Sequence, residues 1–220
     1  ELKTPTMAIG SVVEALQAGA AEDPELRPKF LGSLENLVER QSSLLRDLLD
    51  VAQLDATAQQ KWCSQVNLGE TIKDAIDQVR YSAERKQVEL NIQVPSDGPV
   101  IVGNAMQLQR AITNLLSNAV NYTPSQGQVS ISSAKLDGHF VEVRIEDTGS
   151  GIDAKDLPHI FERFYRADKA RSRQSGGTGL GLAITREIVA RHNGVIRVES
   201  LPGKGSVFAV TLPLKSESQS

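Results

Sequence analysis

The chain has 220 residues, 40% of them hydrophobic and 23% charged, with a formal net charge of −3; it can bury a sizeable core and sits near the globular average. No basic tail or domain-wide excess of Lys and Arg points to nucleic acid, and one cysteine, Cys63, excludes an internal disulfide framework and fits a reducing compartment. With no apolar run of spanning length and no signal peptide, a cytoplasmic location is expected, any membrane attachment coming through a region upstream of Glu1.

In chain order, residues 1–21 read as one helix, because Leu2, Pro5, Ile9, Val12 and Leu16 alternate spacings of three and four. Glu22-Asp23-Pro24 breaks it. A second helical pattern runs from about residue 25 to 58, with Leu31, Leu34, Val38, Leu45, Leu48 and Ala52 on one seam. Phe30, Leu37, Leu44 and Val51 widen that seam beyond what a two-helix hairpin buries alone. Two copies of the hairpin forming a four-helix bundle, hence a homodimer, is the natural solution. Residues 57–66 read as a linker entering a strand.

Beyond the linker the chain alternates in type. Residues 69–86, 104–122 and 179–192 are predicted helices; 88–94, 100–102 and the stretches "QVSISSAKL", "FVEVRIED", "GVIRVES" and "GSVFAVTLPL" are predicted strands. Asp137-Gly138 is a hairpin turn signal. The expected fold is an α-helical hairpin over residues 1–60, then an α/β two-layer sandwich over 66–215 with helices on one face of a mixed sheet.

Four stretches carry chemistry. In "TNLLSNAVNYTP", Asn114, Asn118 and Asn121 share a helix face, although asparagine is a mediocre helix residue. Amide oxygens suit a hard cation beside phosphate oxygens, and a solvated polar face is the alternative. In "EDTGSGI", Asp147 ends a strand, and Gly149 and Gly151 allow a sharp turn close to a ligand. A carboxylate there can accept from an exocyclic amine; an ordinary strand-ending turn is the alternative. "GGTGLGLAI" opens a helix with Gly176, Gly177, Gly179 and Gly181 crowding the turn, which aims free N–H groups at an anion or serves a close backbone approach. It lacks the Lys of a P-loop and the context of a dinucleotide fingerprint. "FERFYRADKARSRQSGG" starts aromatic and ends basic and glycine-rich, a lid-like composition that equally suits a solvated loop.

The order of these stretches resembles the ATP-binding domain of sensor histidine kinases, within the Bergerat-type ATPases. "NLLSNAVNYTP", "DTGSGI", "FERFYR" and "GGTGLGLAI" resemble that family's N, G1, F and G2 boxes, and "ELKTP" resembles the flank of its H box. The resemblance implies ATP and Mg²⁺ as ligands. It places Mg²⁺ on Asn118 with Asn114 close by, Tyr122 against the adenine, and Asp147 under the adenine amino group with Gly149 and Gly151 shaping the pocket. Gly177, Thr178, Gly179, Leu180 and Gly181 bound the phosphates in this reading. Many relatives carry Lys or Arg where this chain has Asn121; Arg171 or Arg173 would then supply the phosphate contact.

At the start, the resemblance places the phospho-acceptor histidine just before Glu1, Glu1 as its general base and Thr4 as the residue that serves phosphatase-competent relatives. The implied reaction is phosphoryl transfer from ATP to that histidine and on to an aspartate of a response-regulator protein docked on the hairpin. None of the three histidines, His139, His159 and His192, occupies the acceptor position, so this chain is expected to bind ATP without phosphorylating itself. Two other readings remain at this level: an ATPase of the gyrase or chaperone type, and a nucleotide-sensing dimerisation module without kinase activity.

Overall fold

The computed structural model describes residues 3–56, 64–95, 97–167 and 178–215. They divide into two compact units, residues 3–53 with Thr178 in one, and residues 54–167 with 179–215 in the other.

In the first unit, helix α1 runs over Lys3–Ala15. The single helix expected over 1–21 is corrected here: the ladder widens into a π-helical turn, Leu16–Ala20, in which Gly19 takes φ +116°. Only glycine adopts that angle without steric cost, so the regular helix ends ahead of it. The Asp23 carboxylate then accepts from the N–H groups of Glu25 and Leu26 at 2.8 and 3.0 Å. These bonds cap the exposed donors that open α2, Leu26–Ala56. Gln41 Nε2 donates to Thr6 Oγ1 at 3.2 Å, joining the two helices of the hairpin. Leu31, Val38 and Leu45, seven residues apart, stay about half exposed at 50, 48 and 54%.

In the second unit, β1 (Gln65–Asn67) pairs antiparallel with β3 (Val100–Val102). Asn67 also caps α3 (Leu68–Lys86), its side chain accepting from the N–H groups of Gly69 and Glu70. A five-stranded sheet follows in the order β2 (Glu89–Gln93), β4 (Gln128–Leu136), β5 (Phe140–Asp147), β7 (Gly205–Pro213), β6 (Val195–Leu201). The β2–β4 pair is parallel and the other three are antiparallel, so the sheet is mixed. Asp137 and Gly138 both take positive φ, the geometry for which Asp-Gly is suited in a tight hairpin. With α3, helices α4 (Ala105–Tyr122) and α5 (Gly181–Arg191) complete the helical layer.

The core lies between that layer and the sheet. Ile72, Ile76 and Val79 of α3, Leu108, Leu115 and Leu116 of α4, and Ile184 and Ile188 of α5 are buried together with Val129, Ile131, Val210 and Leu212. Along β5 the burial alternates strictly: Val141, Val143, Ile145 and finally Asp147 face inward. A carboxylate thus occupies the last core-facing register of an otherwise apolar face. That position is the foundation of the site.

Candidate nucleotide site

Asp147 is 6% exposed. Burial pushes its carboxyl above the ordinary value, the backbone N–H groups of Gly149 and Ser206 pull it back, and the charge of Glu146 adds to the rise. The Gly149 N–H reaches Oδ1 at 2.8 Å. Those donors fix how the carboxylate points while leaving acceptor capacity, since a carboxylate has about four lone-pair sites.

The turn that follows is fastened on two sides. Towards α4, the Ser150 N–H donates to the Tyr122 carbonyl at 3.2 Å, and a Cβ on Gly149 would lie 2.6 Å from that same oxygen. Towards the β6–β7 hairpin, Gly203 N–H donates to Ser150 O at 2.8 Å, and Ile152 N–H donates to Ser200 Oγ at 2.8 Å. Gly151 has φ +67° and a Cβ there would stand 2.0 Å from Leu201 O; Gly205 has φ +89° and a Cβ there would overlap Asp147 O at 1.8 Å. Two glycines therefore permit the strand end and the hairpin to meet backbone to backbone.

Helix α4 supplies the second wall. Asn114 Nδ2 donates to the carbonyl of Gly181 at 3.2 Å, linking mid-α4 to the first residue of α5. Asn114 and Asn118 are half-buried one turn apart, while Asn121 and Tyr122 are exposed at the end of the helix. That end is held in three ways. Lys86 Nζ donates to Val120 O at 2.9 Å and Asn121 O at 2.6 Å. The buried Thr123 hydroxyl donates to Ala119 O at 2.7 Å. Burial lowers the Lys86 pKa from its ordinary value.

The third wall is the start of α5. Its N-cap is Leu180, whose side chain cannot accept a hydrogen bond, and its leading N–H groups form the positive end of a helix dipole. Gly179, at φ +74°, accepts from the Phe164 N–H at 2.8 Å, so the aromatic segment and the glycine turn are joined. A Cβ on Gly179 would sit 2.9 Å from the Phe164 carbonyl carbon. Tyr165 in turn donates its hydroxyl to Asp156 Oδ1 at 2.7 Å, a bond that raises its own pKa.

Asn114, Tyr122, Asp147, Gly149, Gly151, Gly179, Leu180 and Gly181 are thus connected through α4, the turn after β5 and the opening of α5, with Asn118 on the same helix face as Asn114. Thr178 falls in the first unit, where its hydroxyl donates to Asp47 Oδ2 at 2.5 Å. Thr4 lies in α1, while Glu1, Arg171, Arg173 and Gly177 lie outside the described residues. Sequence reasoning missed Lys86, Ser206 and Gly205. Lys86 is 34 residues before its carbonyl partner, and no local pattern exposes such a contact.

A buried acceptor at a strand end, an amide-bearing helix and the opening of α5 are brought together in this α/β unit. Residues 103–216 match the family described as "Histidine kinase-, DNA gyrase B-, and HSP90-like ATPase", and the chain belongs to that family. Its relatives are sensor histidine kinases. "Sensor-like histidine kinase SenX3" of Mycolicibacterium smegmatis is 37% identical over 213 residues, covering 97% of this chain and 55% of that protein. The chain accordingly spans about half the length of such curated relatives. Among solved structures, full-length ShkA in complex with AMPPNP matches at TM-score 0.70 and 28% identity, covering 87% of this chain and 39% of that one. The histidine kinase ThkA in complex with the response regulator protein TrrA matches at TM-score 0.74 over all of this chain and 60% of that one; at 20% identity it speaks for the fold.

Proposed function

We propose that the chain is the cytoplasmic catalytic core of a sensor histidine kinase, with a hairpin unit over residues 1–60 and an ATP-binding unit over 66–215. It would phosphorylate a histidine on the hairpin and pass the phosphoryl group to a response-regulator aspartate. The observation that carries this reading is Asp147: a buried carboxylate oriented by the Gly149 and Ser206 N–H groups, with acceptor capacity left over. A purine amino group is the donor it suits, and an apolar residue would serve the core better at that register.

The residues present fit ATP with Mg²⁺. The glycines at 149, 151 and 179 let the backbone around the site pack against Tyr122, Leu201 and Phe164 where a Cβ would clash. The N-terminus of α5 suits phosphate, as do Gly177, Thr178, Leu180 and Gly181 in sequence, and Arg171 and Arg173 would add positive charge. Asn118 is the Mg²⁺ ligand in this reading, with Asn114 beside it and Tyr122 against the adenine. The cation supplies charge neutralisation on the phosphates. Glu1 would take the proton from the acceptor imidazole, and Thr4 would serve a phosphatase reaction on the regulator.

The chain's own histidines are not acceptors. His139 follows the β4–β5 turn, His159 pairs with Glu162 at 2.8 Å, and His192 is buried. We expect this chain to bind ATP yet carry no phosphohistidine. Extended by one helical turn ending in histidine before Glu1, it should take up acid-labile, base-stable label from γ-labelled ATP and Mg²⁺. Sustained phosphate release without label would make it an ATPase of another kind.

A further inference from the structure

His192 closes α5 and is 3% exposed. Its Nδ1 lies 2.7 Å from the Ile188 carbonyl, which can only accept, so Nδ1 carries the proton. Its Nε2 lies 2.9 Å from the Asn104 backbone N–H, which can only donate, so Nε2 is bare. The two partners select one neutral tautomer, and an imidazolium would set N–H against N–H. The fit is tight: a Cβ on Gly103 would stand 2.4 Å from the ring's Cδ2 and 2.7 Å from Nε2. Asn104 is also the cap of α4, its side chain accepting from Gln107 N–H at 3.0 Å.

The ring therefore joins the last turn of α5 to the first residue of α4. Further along, the middle of α4 is joined to the first residue of α5 by the Asn114–Gly181 bond. The helices are antiparallel, and the two ties are spaced alike, about 15 Å along α4 from 104 to 114 and about 16 Å along α5 from 181 to 192 at 1.5 Å per residue. With both ties closed, α4 cannot slide along α5.

We propose that His192 is a positioning residue for the nucleotide site: as a neutral Nδ1–H imidazole it sets the slide of α4 against α5, and so the seat of Asn114 and Asn118 relative to the opening of α5. This rests on the nucleotide reading above. Among the described residues, the charge acting on the ring is that of Arg191 on its own helix, which pairs with Glu187 at 2.8 Å, and from the α4 side the ring meets the backbone of Gly103 and Asn104. Burial first, and then Arg191, hold the ring below its ordinary pKa of 6.5, against the pull of the Ile188 carbonyl. For a base whose folded pKa is depressed, stability is full above that ordinary value and is lost as pH falls from it towards the folded value.

Coupling between pin and site is reciprocal, so nucleotide must favour the neutral ring as much as the neutral ring favours nucleotide. The test uses the unmodified chain with ¹⁵N-labelled histidine, titrated by NMR with and without saturating Mg·ADP. The His192 nitrogens should show the Nδ1–H tautomer, and nucleotide should lower the ring's titration midpoint, by about one pH unit for a tenfold coupling. His192→Ala and Gly103→Ala should each weaken ADP binding about tenfold at pH 7.5, with cooperative unfolding retained. Shifted Gly149 and Ser150 amides beside an unmoved His192 midpoint would overturn the pin and leave the nucleotide reading standing. No shift anywhere on adding nucleotide would overturn the nucleotide reading, and the pin with it.

Discussion

At Asp147, stability and the proposed nucleotide binding ask for different side chains. The carboxylate is the fourth inward residue of a strand whose first three are aliphatic, and burial raises its pKa above the ordinary 3.8. For an acid raised in this way, the folded state loses stability as pH climbs through the folded pKa, so at neutral pH the ionised group works against the fold. Asp147→Asn removes that charge and keeps an oxygen for the Gly149 N–H. Its melting temperature at pH 7 is expected to equal or exceed that of the parent, with any gain disappearing below the ordinary carboxylate range. Nucleotide affinity should instead fall about 100-fold, the cost of setting an amide donor against an amine donor in place of a charged hydrogen bond. Melting curves and fluorescent-nucleotide titrations read the two effects separately; a large drop in both would mean that Asp147 is structural. The residue's place at the end of a strand before a glycine turn was legible in the sequence as D-x-G-x-G. Its orientation was not, because the Ser206 N–H comes from a strand 59 positions away.

Helix α4 carries its amides on a local pattern but is held by distant groups. The spacing of Asn114, Asn118 and Asn121 predicts their shared face, and the observed helix, Ala105–Tyr122, agrees with the expected 104–122 to within one residue. What fixes the helix end comes from the last residue of α3, where Lys86 donates to two carbonyls left open by the ending ladder. The strands followed from alternation and the β4–β5 register from Asp137-Gly138, whereas the parallel β2–β4 pairing that makes the sheet mixed joins Glu89 to Gln128, 39 positions on, and no local pattern sets it. The π-helical turn at Leu16–Ala20 did not, because the apolar spacing runs on through Gly19 and only its φ betrays the change. Lys86→Met keeps the length of the stem and removes the donor. It is expected to lower stability by about 1 kcal/mol, the scale of a cation at a partly solvated helix C-terminus. Because Tyr122 O also holds the turn after β5 through Ser150 N–H, nucleotide affinity should weaken severalfold. Calorimetric unfolding with parallel binding titrations checks this; a stability loss with unchanged affinity would detach the cap from the site.

At the scale of the molecule, the hairpin leaves apolar surface that this chain alone does not cover. Leu31, Val38 and Leu45 repeat every seven residues on α2, each about half exposed, and Leu49 is 56% exposed one turn beyond Leu45. A heptad stripe of this kind is what the seam of the proposed helical bundle requires. Full burial of a leucine or valine contributes about 1.5–3 kcal/mol, so completing the burial of these half-exposed side chains contributes about half of that each. Four such side chains from each of two protomers sum to a gain on the order of the entropy of association, which is why we expect a dimer through the hairpin. Val38→Glu with Leu45→Glu places four carboxylates on the seam of such a dimer, and like charges there repel as well as resisting burial. Sedimentation equilibrium should show the parent as a dimer at micromolar concentration and the double variant as a monomer. Its nucleotide affinity should stay near the parental value, because Asn114, Asp147 and Gly181 lie in the second unit and, of the proposed phosphate-binding residues that the structure describes, Thr178 alone shares the first unit with the substituted positions. A parent that sediments as a monomer would remove the four-helix bundle. A double variant that loses both dimer and nucleotide binding would show that the two units do not fold independently.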